Sequence, residues 1–191
     1  ALAFAEADAE RKYRYSLVLK GLIALSEAVF PYGTRGMQLD TLARQPLWHA
    51  GVDYAHGTGH GIGSCLGVHE GPCRIAATRD ASRAVIEAGM MFSNEPSYRV
   101  QGVYGIRIEN DLLTVERTEP PHDTDDRWLG FETLTFLPFE RLLLSPEYFD
   151  AREVDWIDRY HRETRRRLTP LLEPLDPAAL EWLGTATRKL Q

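Results

Sequence analysis

His56-Gly57-Thr58-Gly59-His60-Gly61-Ile62-Gly63 opens a series that continues through Val68-His69-Glu70-Gly71-Pro72, Asn94-Glu95-Pro96 and Ile106-Arg107-Ile108-Glu109-Asn110. The alternating glycines exclude a helix between Gly51 and Gly71, since each costs about 1 kcal/mol there relative to alanine. Beside histidines they predict irregular backbone that approaches a ligand closely. Further along, Met90–Asn94 and Tyr104–Val115 are rich in apolar and β-branched residues, with turn formers in the Ser97–Gly102 segment between them. That pattern predicts a hairpin. Folded symmetrically about Gly102, the hairpin sets Glu95 opposite Glu109, where Cβ atoms lie about 5 Å apart and like charges repel. A cation between them removes the repulsion, and His60 adds an imidazole. Two ions bridged by carboxylates, about 3.5–4 Å apart, are a general device for activating water against an amide bond. The series therefore points to metal-assisted hydrolysis.

His56 and His60 share the four-residue spacing of a zinc-binding helix. The glycines and the missing general-base glutamate exclude that motif, so the two need not bind one ion. A mononuclear iron site built on the same pair would leave the paired glutamates unexplained. His49, His122 and His161 read as structural histidines.

A chain of 191 residues with formal charge -6 disfavours a nucleic-acid binder, and Arg165-Arg166-Arg167 reads as a solvated helix face. Cys65 and Cys73 have neither zinc-knuckle nor disulfide-framework spacing, which predicts a reduced, cytoplasmic setting. No apolar run approaches the roughly 18 residues needed to span a bilayer, so no membrane partner is expected. Ala1-Leu2-Ala3-Phe4-Ala5 reads as the tail of a strand in a longer polypeptide.

Apolar spacing predicts a helix from Asp8 to about Val29, capped by Asp8 and stopped by Pro31-Tyr32-Gly33. A second is predicted over Asp40–Ala50, capped by Asp40, weakened by Pro46 and closed by Gly51. A strand is expected over Phe131–Leu144 and a helix over Ala151–Leu168, with Val154, Ile157, Tyr160 and Thr164 on one face. Asp176-Pro177 predicts a last helix continuing through Leu180, Leu183 and Leu190. The acidic, proline-bearing Glu116–Arg127 segment reads as a surface loop.

Taken in order, His56–Gly63, Val68–Pro72, Ser93–Pro96 and Gly105–Asn110 resemble the successive motifs of the aminopeptidase P group of the creatinase and methionine-aminopeptidase family. The tail from Leu134 to Leu183 is similar to the C-terminal end of the longer members. The resemblance implies an α+β pita-bread fold, a curved antiparallel sheet covered by helices, here lacking its N-terminal strands. It makes residues 1–191 the C-terminal part of a metallopeptidase catalytic domain, with a family-type extension from about 134 to 191. The implied activity is removal of the first residue from peptides with an Xaa-Pro N-terminus, by a hydroxide bridging two divalent ions. Manganese is the expected metal, with zinc or cobalt as alternatives.

On the matching positions, His60 and Glu109 are implied metal ligands, and Glu95 both a ligand and the proton acceptor. His56 and His69 are implied to contact the substrate and the developing oxyanion, and Arg107 to orient carboxylates. A homodimer is a further implication. The pattern needs two more aspartates that this chain does not contain, so the stretch by itself is expected to bind metal poorly and to be inactive. Asp8 caps a helix, and Asp53 matches no ligand. Asn94 stands where many relatives have aspartate, and Ser97 where glycine is frequent, so a different turn after Glu95 is expected. A prolidase-type dipeptidase and a non-catalytic binding module are the alternatives.

Overall fold

The computed structural model describes residues 3, 5–65, 67–78, 83–118 and 127–190. The expected Glu116–Arg127 loop is described only at its ends, and His122 lies outside the described residues. The chain divides into two compact units, residues 17–135 and residues 1–16 with 136–191.

In the first of these, the C-terminal half of α1 (Ala9–Ser26) precedes β1 (Val29–Pro31), α2 (Gly36–His49), and the short β2 (Gly59–His60) and β3 (Arg74–Ile75). Then follow β4 (Met91–Asn94), β5 (Ser97–Val100), β6 (Tyr104–Arg107), β7 (Asn110–Arg117) and β8 (Trp128–Thr133). An antiparallel sheet in the order β1-β8-β7-β4 carries the core, with β2-β3 and β5-β6 as separate two-stranded ladders. Leu25, Phe30, Ile75, Phe92, Leu112 and Phe131 are buried together between helices and sheet. Helices α1 and α2 cross in backbone contact, because a Cβ on Gly21 would lie 2.2 Å from the Ala43 carbonyl oxygen.

The hairpin register is the predicted one. Met91 pairs with Leu113 and Asn94 with Asn110, then Ser97 pairs with Arg107 and Val100 with Tyr104. Gly102, at φ +72°, makes the turn. Two features differ from expectation. Ser97–Val100 is strand rather than turn, and the ladder breaks around Glu95-Pro96 and Ile108-Glu109. Proline has no N–H for a ladder, and the Glu95 N–H donates instead to the Thr58 carbonyl at 2.8 Å. The break is what frees the two glutamates from regular strand.

Three element boundaries in this unit are corrected. Helix α1 stops at Ser26, because Val29 joins the sheet opposite Gly130 and strand pairing overrides the helical spacing. Helix α2 starts at Gly36, where Gln38 Oε1 accepts the Arg35 N–H at 2.8 Å; Asp40 is no cap but faces Arg44 inside the protein. Strand β8 ends at Thr133, and residues 134–144 form irregular chain and a turn.

The other unit holds α3 (Ala151–Leu172) and α4 (Pro177–Ala186). Asp150 Oδ1 accepts the N–H groups of Arg152 and Glu153, and Glu153 accepts that of Asp150, closing a capping box. Helix α3 runs four residues past the expected end, through Pro170. Asp176 caps α4 as predicted, but α4 ends at Ala186, so Leu190 lies beyond it. Phe139, Trp156 and Tyr160 stack, and fully buried His161 accepts the Phe139 N–H at 3.1 Å. Of the arginine run, Arg166 and Arg167 hold Glu163 on the exposed face, whereas Arg165 reaches Thr187 and the Gly184 carbonyl and ties α3 to α4.

Candidate active site

The loop carrying the histidines is held by backbone crowding. A Cβ on Gly59 would sit 1.9 Å from the Ser93 carbonyl oxygen, and one on Gly61 2.2 Å from that of Glu70. At these two positions the neighbour that requires glycine is protein backbone. With β2 laid against β4, the His60 N–H donates to Ser93 Oγ at 3.0 Å.

This contact brings His60 Nε2 to 3.4 Å from Glu95 Oε1. His60 Nδ1 lies 3.0 Å from the Gly61 carbonyl, which can only accept, so the Nε2 lone pair faces outward from that bond. Glu95 is buried; its Oε1 accepts from Ser93 Oγ at 3.2 Å and its Oε2 lies 3.1 Å from Arg107 Nη1. Glu109 stands across the ladder break in the register that continues from Asn94–Asn110. Its carboxyl is raised above the usual range by partial burial and then by the charge of Glu95. Burial likewise raises Asp111, two residues on.

His56 Nδ1 lies 2.7 Å from the Gly57 carbonyl, while its Nε2 lies 2.5 Å from Ser97 Oγ and 3.3 Å from Arg107 Nη2. Burial, aided by the Arg107 charge, lowers the pKa of His56 and favours the neutral ring. The ring stacks on Tyr54 with centroids 4.7 Å apart. Exposed His69 packs edge-on against His60 at 4.1 Å. Ser97, the departure from glycine, is fully buried and serves His56. Asn94 donates from its amide to the Leu22 carbonyl at 2.9 Å and to Ser26 Oγ at 3.1 Å, joining β4 to α1.

His56, His60, His69, Glu95 and Arg107 share the wall of one cavity of about 640 Å³, and Glu109 lies outside that wall. In kind, an imidazole with carboxylates and no thiolate suits a first-row divalent ion. Cys65 is exposed and Cys73 is turned to the Val85 carbonyl. Among the described residues, however, no three His, Cys, Asp or Glu side chains gather closely enough to hold a metal by themselves. The set is a partial one. Sequence reasoning missed Arg44 and Tyr54 on the same cavity wall, and Asp40 and Thr58 that bond to them. The signal available was Asp40 and Arg44 four residues apart, flanking Ala43 on the apolar side of a helix.

Residues 1–116 match metallopeptidase family M24, and residues 127–190 match the C-terminal region of peptidase M24. Aminopeptidase P2 of Arabidopsis thaliana is 44% identical over 188 residues, covering 98% of this chain and 26% of that protein. A crystal structure of an X-prolyl aminopeptidase from Caenorhabditis elegans, described as a cytosolic enzyme with a di-nuclear active site, superposes with TM-score 0.90. It is 34% identical, over 98% of this chain and 30% of that one. An Xaa-Pro dipeptidase from Bacillus anthracis superposes with TM-score 0.57 at 30% identity, over 73% of this chain and 34% of that one. The chain thus spans under a third of the length of these two aminopeptidases. The α+β fold is that of the X-prolyl aminopeptidase. With more than half its residues matched by the family and its motifs assembled on one cavity, the chain belongs to metallopeptidase family M24.

Proposed function

We propose that residues 1–191 form the C-terminal part of the catalytic domain, with the extension from about 134, of a metal-dependent Xaa-Pro aminopeptidase. The observation that carries the reading is His60 Nε2 at 3.4 Å from Glu95 Oε1 on the cavity wall. Supporting it is the agreement in fold with an X-prolyl aminopeptidase over 98% of the chain. We assign His60, Glu95 and Glu109 to two divalent ions, manganese first, together with carboxylates from outside this stretch. When bound, such ions lower the pKa of water and supply hydroxide near neutral pH.

The chain's own residues do the rest. Glu95 takes up a proton at Oε1, the oxygen that Ser93 Oγ approaches, while Arg107 holds Oε2 by a charge-assisted contact. His56 and His69 bind the substrate beside the scissile carbonyl. His60 is oriented by its Nδ1 contact to Gly61, the role a carbonyl commonly plays behind a ligating histidine. A cytoplasmic, homodimeric enzyme is the expectation that accompanies this reading. Among the described residues no helix is long and apolar enough to cross a membrane.

The test uses the full-length protein, stripped with chelator and reloaded with Mn²⁺. Release of the first residue from an Xaa-Pro tripeptide is expected, with Glu109→Gln losing both bound metal and turnover. Cleavage confined to Xaa-Pro dipeptides would select the prolidase reading. Normal metal content and turnover in Glu109→Gln would overturn the assignment of Glu109.

A further inference from the structure

On the α2 side of the same cavity, whose lining includes Arg44 and Tyr54, lies a buried ion pair that the proposed chemistry does not use. The side chains of Arg44 and Asp40, one helical turn apart, are 5% and 2% exposed. Every guanidinium nitrogen is engaged. Nε donates to Asp40 Oδ2 at 2.6 Å, and Nη2 to Asp40 Oδ1 at 3.3 Å and to the His56 carbonyl at 2.7 Å. Nη1 donates to Asp53 Oδ1 at 2.8 Å and to the Tyr54 carbonyl at 2.6 Å. The guanidinium plane also lies over the Tyr54 ring, 4.0 Å from its centroid, and that ring stacks on His56.

A second chain of hydrogen bonds closes the same loop. Thr58 Oγ1 donates to Asp40 Oδ1 at 2.6 Å, so the Tyr54 hydroxyl, 2.5 Å from Thr58 Oγ1, is the donor of that pair. Burial raises the Tyr54 hydroxyl pKa and keeps it protonated for this role. The Thr58 carbonyl in turn accepts the Glu95 N–H. One side chain thus grips residues 53–56 through a carboxylate, two carbonyls and an aromatic face. Burial of an ion pair is weak evidence for stability, since apolar residues of similar volume often serve as well. What only a planar five-donor fork supplies is direction.

We propose that Arg44 is a positioning residue. It fixes the backbone of residues 53–56 so that the Tyr54 ring backs His56 and His56 Nε2 stays turned toward Ser97 and Arg107. The catalytic consequence rests on the substrate-binding role given to His56 above; the ordering of the loop does not.

The test is Arg44→Lys in the full-length protein, which keeps a positive charge beside Asp40 and removes the fork. Amide exchange at residues 54–58 should rise at least tenfold while β7 stays protected. The value of kcat/KM on an Xaa-Pro peptide should fall about 30- to 100-fold, the scale of a misplacement near 1 Å, with metal content unchanged. Because Arg44 acts through His56, the same substitution in a His56→Ala background should cost less than about threefold, the non-additivity of residues in contact. If Arg44→Lys fails to fold, Tyr54→Leu, which leaves the Arg44–Asp40 pair intact, should show the same loss of kcat/KM and the same masking by His56→Ala. Unchanged exchange at 54–58, or equal losses with and without His56, would overturn the proposal. An inactive wild-type protein would defeat the reading of the site, and the exchange measurement would still decide the role of Arg44.

Discussion

Replacing Gly59 with alanine tests whether backbone contact between β2 and β4 holds the site together. An added Cβ would lie 1.9 Å from the Ser93 carbonyl oxygen, 1.1 Å short of the 3.0 Å below which such contacts essentially never occur. Both partners are backbone, so no side-chain rotation relieves the clash, and the strands must separate. Separation stretches two hydrogen bonds, His60 N–H to Ser93 Oγ at 3.0 Å and Glu95 N–H to Thr58 O at 2.8 Å. At about 1 kcal/mol each, with about 1–3 kcal/mol for overpacking, the expected loss is about 3–5 kcal/mol. The control is Gly184→Ala in α4, where nothing lies within 4 Å of the added Cβ and about 1 kcal/mol of helix propensity is gained. Guanidinium unfolding followed by circular dichroism reads both, and metal content of the full-length protein reports on His60. A loss below about 1 kcal/mol for Gly59→Ala, with metal binding intact, would refute the crowding argument.

Two further outcomes follow from buried polar groups. Burial, with help from Arg141, pushes His161 down to about 4 from an ordinary 6.5. Between those values the unfolded chain holds one more proton, so stability should fall as pH drops from 6.5 to 4, by about 3 kcal/mol in all. In His161→Gln, which retains an acceptor for the Phe139 N–H, that part of the pH dependence should vanish; an unchanged unfolding profile would contradict it. Asn94→Asp removes the amide that donates to Leu22 and Ser26 and turns a carboxylate oxygen toward a carbonyl. It should cost about 1–3 kcal/mol, and wild-type stability in an unfolding titration would show that the amide bonds contribute little.

Much of the site was legible in sequence because its signals are local or symmetric. The hairpin about Gly102 follows from period-two patterning and one turn, and the pairings of Asn94 with Asn110 and Ser97 with Arg107 keep that register. The cap at Asp176 is set by neighbouring residues in the chain. Where the reading failed, a distant partner decided. Val29 continued a helical spacing but joined β8 at Gly130, and Asp40 resembled a cap but is buried against Thr58, 18 residues on, as well as Arg44. The glycine spacing also did not reveal that Gly59 and Gly61 are required by the Ser93 and Glu70 carbonyls, 34 and 9 positions away.

By itself, the sequence determined the family, the donor types and the strand register, since each is carried by residue identity and short-range periodicity. Only the tertiary structure decided which side chains meet. His60 reaches Glu95 because β2 rides on β4, and the Arg44 fork reaches the His56 loop because α2 packs beneath it. Those contacts join segments far apart in the chain, and close packing and directional hydrogen bonding, which no local pattern encodes, fix them.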